Sequence, residues 1–271
     1  MNAASWDGFT EARKRFKKDI EKLNRMTPEL QSLQQKLVDE RSPAYTVETP
    51  VVYNKALDDV DQDEEIKLIL VGDNPGRREQ AKENCRYLVG PSGKIAEKFF
   101  RDNPSLGINF RANVIILNKT PVHTPRTADL RKLCRLGGEK LEKNLAESQR
   151  IMARLLFEFH QAVVRGNAYG RHATGRNAAG ALLPVWITGY SEMGKKGVFA
   201  AYAEELKAVY GNSDLKEAIL IYRHFSMNQF TIDLKKQTTC GKSAAGKPVP
   251  NEPLISTLNR IGTEYRQQFL W

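Results

Sequence analysis

Cysteine is scarce in this chain: Cys85, Cys134 and Cys240 are the only three in 271 residues, widely spaced and without a CxxC pair. An odd, dispersed set argues against a disulfide framework and for a reducing compartment. The missing close pairs argue equally against a cysteine-built zinc or iron–sulfur site. Long apolar runs are absent as well. No stretch approaches the length of a membrane span, and the opening "MNAASWDGFTEARKRF" has no apolar block of the signal-peptide kind. The expectation is a protein that is not secreted and has no membrane partner.

Acidic charge is short overall and concentrated where it occurs. The formal net charge is +10, yet the run "DDVDQDEE" holds six acids and no bases, so removing those six negative charges leaves +16 on the remainder. Such a surface suits a polyanion, nucleic acid above all. Solubility alone explains it equally well.

With 41% hydrophobic residues the chain is long enough for one large domain with an appendage. Phe9, Phe16, Ile20 and Leu23 recur at helical spacing, and Thr27-Pro28-Glu29 reads as the cap of a second helix through Leu30, Leu33 and Leu37. Residues 1–45 are therefore expected to form a helical extension packed on a main domain of residues 46–271. "SPAYTVETPVVYN" reads as extended chain, and the acidic run after it as a solvated loop.

Four near-continuous apolar runs, 67–71, 113–117, 184–188 and 218–222, read as strands covered on both faces. Helical patterns at 95–101, around 147–164 and at 198–210 separate them, and a last helix runs through Leu254, Leu258, Ile261 and Tyr265. The alternation predicts an α/β protein, a three-layer α/β/α sandwich around a four-stranded, mostly parallel sheet. Ligands in such sheets bind beyond the carboxyl ends of the strands. That directs attention to the loops "GDNPGRRE", "NKTPVHTPR", "GYSEMGKKG" and "RHFSMNQF". Two stretches without periodicity, 165–180 with its Gly, Asn, Ala and Arg and 235–253 with four lysines, read as basic loops at a rim or as ordinary surface.

"GPSGK" invites a phosphate-loop reading, but Leu88 stands where that motif needs glycine and Ile95 where it needs Ser or Thr. A helix start is the better reading.

"GDNPGRRE", "YLVGPSGK", "NVIILNKTP" and "RHFSMNQF" together resemble, in order and spacing, the motifs of the uracil-DNA glycosylase superfamily, from about Val51 to Gln229. The resemblance implies a monofunctional glycosylase that hydrolyses the N-glycosidic bond of uracil or a related deaminated base in DNA. It implies no cofactor and no metal, a monomer, and a place in the cytoplasm at the nucleoid, or in the nucleus. Asn74 falls where two branches carry a water-holding asparagine and Asp73 where the iron–sulfur branch carries an acid. Either is a candidate for placing the water, with turn chemistry as the plain alternative. Asn118 matches the base-reading asparagine, whose amide suits a uracil edge. His224 matches the histidine that stabilises the departing base.

Gly72, Pro75, Tyr87 and Leu88 complete the expected base pocket, with Leu88 standing where many members carry a stacking aromatic and Tyr87 beside it. Phe225 and Met227 replace two usual prolines. Lys94, Arg126, Ser226, Met227, Lys235, Lys236 and Lys242 are the expected DNA contacts, Met227 as a wedge, and His123 is expected near a phosphate with Arg126. Two other readings stand beside this one: a nucleic-acid-binding homologue without the reaction, and a hydrolase of free nucleotides.

Overall fold

The computed structural model describes residues 1–166, 182–239 and 252–271. Four strands, β1 (Leu68–Gly72), β2 (Val114–Asn118), β3 (Val185–Thr188) and β4 (Ile219–Tyr222), form one sheet in the order β2-β1-β3-β4. Every pairing in it is parallel. All strand residues are buried, as continuous apolar runs require when helices cover both faces. β1 and β2 end one residue later than their apolar runs, because Gly72 and Asn118 pair across the ladder.

The helices are α1 (Ala3–Met26), α2 (Leu30–Asp39), α3 (Arg77–Gln80), α4 (Pro91–Asp102), α5 (Asp129–Gly166), α6 (Ala200–Tyr210), α7 (Gln229–Thr239) and α8 (Leu254–Phe269). α4, α7 and α8 lie on the sheet face that carries Trp186, Leu220 and Tyr222. Phe99 and Phe100 of α4 pack on Trp186, and Gly262 of α8 meets Leu220 and Tyr222. α5 belongs to the opposite layer, flanked by α1 and α6. The result is the three-layer α/β/α sandwich.

α1 buries the predicted stripe of Phe9, Phe16, Ile20 and Leu23, and Phe9 packs on Phe159 of α5 at 5.2 Å between centroids. α2 starts at Leu30, not at Pro28: the Leu30 amide donates to the Thr27 carbonyl, and the Thr27 hydroxyl turns back to the Leu23 carbonyl. α5 begins well before the predicted residue 147 and is bent at Gly138, where φ is +68°. Lys235 and Lys236, expected in a loop, are exposed residues of α7, because the helix started at Gln229 runs on through Thr239. The Gly-rich stretch 165–180, the rest of the Lys-rich one, and Lys242 and Lys247 with it, lie almost entirely outside the described residues. None of the described helices is long and apolar enough to cross a membrane.

Candidate active site

β1 ends in Gly72 and β2 in Asn118, side by side in register. A Cβ on Gly72 would stand 2.6 Å from Asn118 Oδ1, so only glycine lets the amide approach the strand end. The loops after β1, β2 and β4, with Leu88 and the start of α4, enclose a cavity of about 500 Å³. Asp73, Asn74, Leu88, Asn118, His224 and Ser226 line it together, with Arg77, Arg78 and Arg126 among the residues at its wall. Larger open grooves lie elsewhere, one between α5 and α6 and one along α1, and hold none of these residues.

Asn118 is buried, and its Nδ2 has no hydrogen-bond partner. An orphaned buried amide costs about 1–3 kcal/mol, and Asn118 carries that cost at the cavity wall. His224 supplies a second donor. The backbone N–H of Ser226 donates to His224 Nδ1 at 3.0 Å, and the Ser226 hydroxyl lies 2.7 Å from the same nitrogen. Nδ1 must then be the acceptor, which leaves the proton on Nε2. Burial lowers the pKa of His224; Asp73 opposes that shift and Lys119 adds to it. The ring is a neutral donor at neutral pH.

Asn74 is oriented from the protein side. Its Nδ2 donates to Thr124 Oγ1 at 2.9 Å, and the Thr127 hydroxyl reaches its Oδ1 at 3.1 Å. Asp73 lines the same cavity and is bound by the protein at both carboxylate oxygens. Its Oδ1 is 2.5 Å from the ammonium of Lys119, its Oδ2 lies 3.2 Å from the same Thr127 hydroxyl, whose one proton is shared between Asp73 and Asn74, and Lys119 is wholly buried. Lys119 also reaches the Thr188 carbonyl and lies over the Phe199 ring. Burial lowers the Lys119 pKa, and Asp73 opposes that shift. Gly189 packs so tightly on Asp73 that a Cβ there would sit 2.5 Å from Oδ1, and its φ of +82° again favours glycine. The carboxylate thus closes an ion pair at the site, beside Asn74.

Three expected pocket residues, Gly72, Pro75 and Tyr87, stand outside the cavity lining, and the expected phosphate contact His123 lies elsewhere. Tyr87 is buried in the core and donates its hydroxyl to the Val52 carbonyl, so it does not line the cavity. An apolar ring with one satisfied hydroxyl is more stable there than in a polar pocket. His123 is fully buried, bonded to Pro75 and Tyr45, and is not a phosphate contact. Leu88 does line the cavity, at a φ of +52° that side chains rarely adopt. Lys94 is exposed on α4 near the mouth, outside the lining.

Phe225, which replaces a usual proline, is buried. It stacks on Phe230 at 4.4 Å and packs near Phe99, anchoring the His224 loop in the core. Met227 stands out, 83% exposed, with Met227 and Asn228 both at positive φ.

No protein-family model, no curated protein and no solved structure matches this chain.

Six residues of the site were not singled out from the sequence: Arg77 and Arg78, Lys119, Glu79, Thr124 and Thr127. Lys119 is a lysine directly after an apolar strand, which is its only signal. Glu79 follows Gly76 at capping-box spacing, and its Oε2 accepts the Gly76 amide at 3.0 Å. Burial raises the Glu79 pKa to about 7 against the opposing amides of Gly76, Leu88 and Gly90, so this carboxyl ties the two site loops together. Thr124 and Thr127 carry no pattern that separates them from turn residues. Among the described residues no group of three His, Cys, Asp or Glu side chains is placed to hold a metal.

Proposed function

We propose that this protein is a DNA glycosylase that hydrolyses the N-glycosidic bond of uracil or a related deaminated base. The orphaned Asn118 amide beside the neutral, Nε2-protonated ring of His224 carries the reading. Both are donors at a cavity wall, and a departing keto base gathers negative charge on its oxygen. The bond between C1′ and the base nitrogen breaks, and water adds its oxygen to C1′; one of its protons stays on the new hydroxyl and the other passes, directly or through solvent, to the departing base. Asn74 Oδ1, held by Thr127, is the acceptor on which that water is oriented. Arg77, Arg78 and Arg126 at the mouth suit a phosphate backbone. The base must leave its stack to enter such a cavity.

The Lys119–Asp73 pair favours the second reading, a binding-only homologue, because it engages the acid that stands beside Asn74 in the first loop. One experiment separates the two. Oligonucleotides bearing uracil, hypoxanthine or xanthine are incubated with the protein, and abasic sites are read by alkaline cleavage. The expected outcome is cleavage of at least one substrate, reduced about a hundredfold or more in Asn118→Ala while DNA affinity persists. Binding without any abasic site would leave the binding-only homologue.

A further inference from the structure

The helical extension reaches the site through one directed chain of hydrogen bonds. His123 Nδ1 lies 2.8 Å from the Pro75 carbonyl oxygen. A carbonyl can only accept, so Nδ1 carries the proton and Nε2 is a bare acceptor. The Tyr45 hydroxyl, 3.1 Å from Nε2, must therefore donate to it. Burial depresses the His123 pKa to about 4, so this neutral tautomer persists at working pH.

The chain continues into the site. The Pro75 carbonyl that His123 holds also receives Asn74 Nδ2 at 3.3 Å and the Thr124 amide at 3.3 Å. The Thr124 hydroxyl gives its proton to the Arg126 carbonyl at 2.9 Å, which leaves its lone pairs for Asn74 Nδ2. Every acceptor around the Asn74 amino group is thus fixed by His123 or by its neighbour, and Asn74 Oδ1 is turned toward Thr127. From α2, Gln34 Nε2 clamps the His123 carbonyl at 2.7 Å and the Pro50 carbonyl at 2.9 Å. Arg77 lies over the Tyr45 ring, its guanidinium 4.9 Å from the centroid.

We infer that Tyr45 and His123 are positioning residues for hydrolysis, aiming the Asn74 amide through the Pro75 carbonyl. This rests on Asn74 being the water-holding group. Residues before 46 are then a working part of the site, not an appendage. Neither side chain touches substrate; both act by holding Asn74 within the narrow range of orientations that a water-placing group tolerates.

The test uses the full chain with Tyr45→Phe, His123→Leu and His123→Asn, and has two readouts. Single-turnover excision should fall on the order of tenfold to a hundredfold in His123→Leu. It should fall less in Tyr45→Phe, with DNA affinity and melting temperature near the parent's in Tyr45→Phe. His123→Asn, whose amide nitrogen takes the place of Nδ1, should recover most of the rate lost in His123→Leu. The second readout is the Asn74 side-chain amide resonance, assigned by its loss in Asn74→Ala; it should shift in Tyr45→Phe and His123→Leu. An unmoved resonance, or rates that fall only in step with melting temperature, would overturn the inference. A parent that excises no base would defeat the glycosylase reading alone, since the resonance still decides whether the chain of bonds holds Asn74.

Discussion

Lys119 is a fully buried ammonium whose partners are an acid, a carbonyl and an aromatic ring. A charge in that position is tolerable only because its counter-charge is 2.5 Å away. Lys119→Met should leave Asp73 without its partner and cost about 3–5 kcal/mol in urea unfolding. Adding Asp73→Asn should restore much of that loss, because a neutral pair needs no counter-charge. A double variant as unstable as the single one would mean that the packing of the lysine stem, not its charge, is at stake.

Glu79 makes the opposite kind of demand. Its folded pKa, about 7, lies above the ordinary carboxylate value, so the folded state binds the extra proton. The stability from this group is full below the unfolded value of 4.5 and is lost as pH rises through 7. Glu79→Gln should flatten the melting-temperature profile across that window while leaving its acid side alone. His123 and His160, both with pKa values pushed down to about 4 by burial, govern the acid side. Their contribution is present above the ordinary histidine value and falls away as pH drops toward 4.

The loop after β4 shows how an element can be anchored at one end and strained at the other. Phe225 and Phe230 are locked in the aromatic cluster, and the Phe230 amide bonds the His224 carbonyl at 3.1 Å. Between them Met227 and Asn228 hold consecutive left-handed conformations, and the methionine is thrust into solvent. Strain of this kind persists only where the surroundings impose it, and it clusters at functional loops. Met227 has the reach and pliancy to enter a base stack and fill the gap left by a flipped nucleotide. Met227→Ala should therefore slow excision from duplex DNA far more than from single strands. Equal slowing of both would indicate a distorted His224 loop.

Across the whole molecule, the cations at the cavity mouth come from separate elements. Arg77 and Arg78 are exposed on α3, directly after the first loop, and Arg126 is exposed before α5. Replacing all three by Gln should reduce the log–log salt slope of binding to undamaged DNA by about 3 if each neutralises one phosphate. An unchanged slope would place the phosphate track elsewhere, with exposed Lys235 and Lys236 of α7 as the next candidates.

What the sequence determined by itself was periodic or local. The four apolar runs could only be strands covered on both faces, and the helical stripes between them left a parallel sheet as the economical arrangement. The loop residues Asn74, Asn118 and His224 stood out only because the four loop motifs, taken together, resemble those of a known superfamily; position after an apolar run alone would not have separated them from turn residues. Tertiary structure decided what depends on partners distant in the chain. Tyr87 went to the core because the Val52 carbonyl was there to receive its hydroxyl. Phe225 became an anchor because α4 and α7 bring Phe99 and Phe230 against it. Asp73 became half of an ion pair because β2 ends where its next residue, Lys119, can reach back beneath β1. His123 joined Tyr45 to Pro75 across 78 and 48 residues of sequence separation. Such contacts leave no period in the sequence, because burial and hydrogen-bond satisfaction are settled only when separate elements meet.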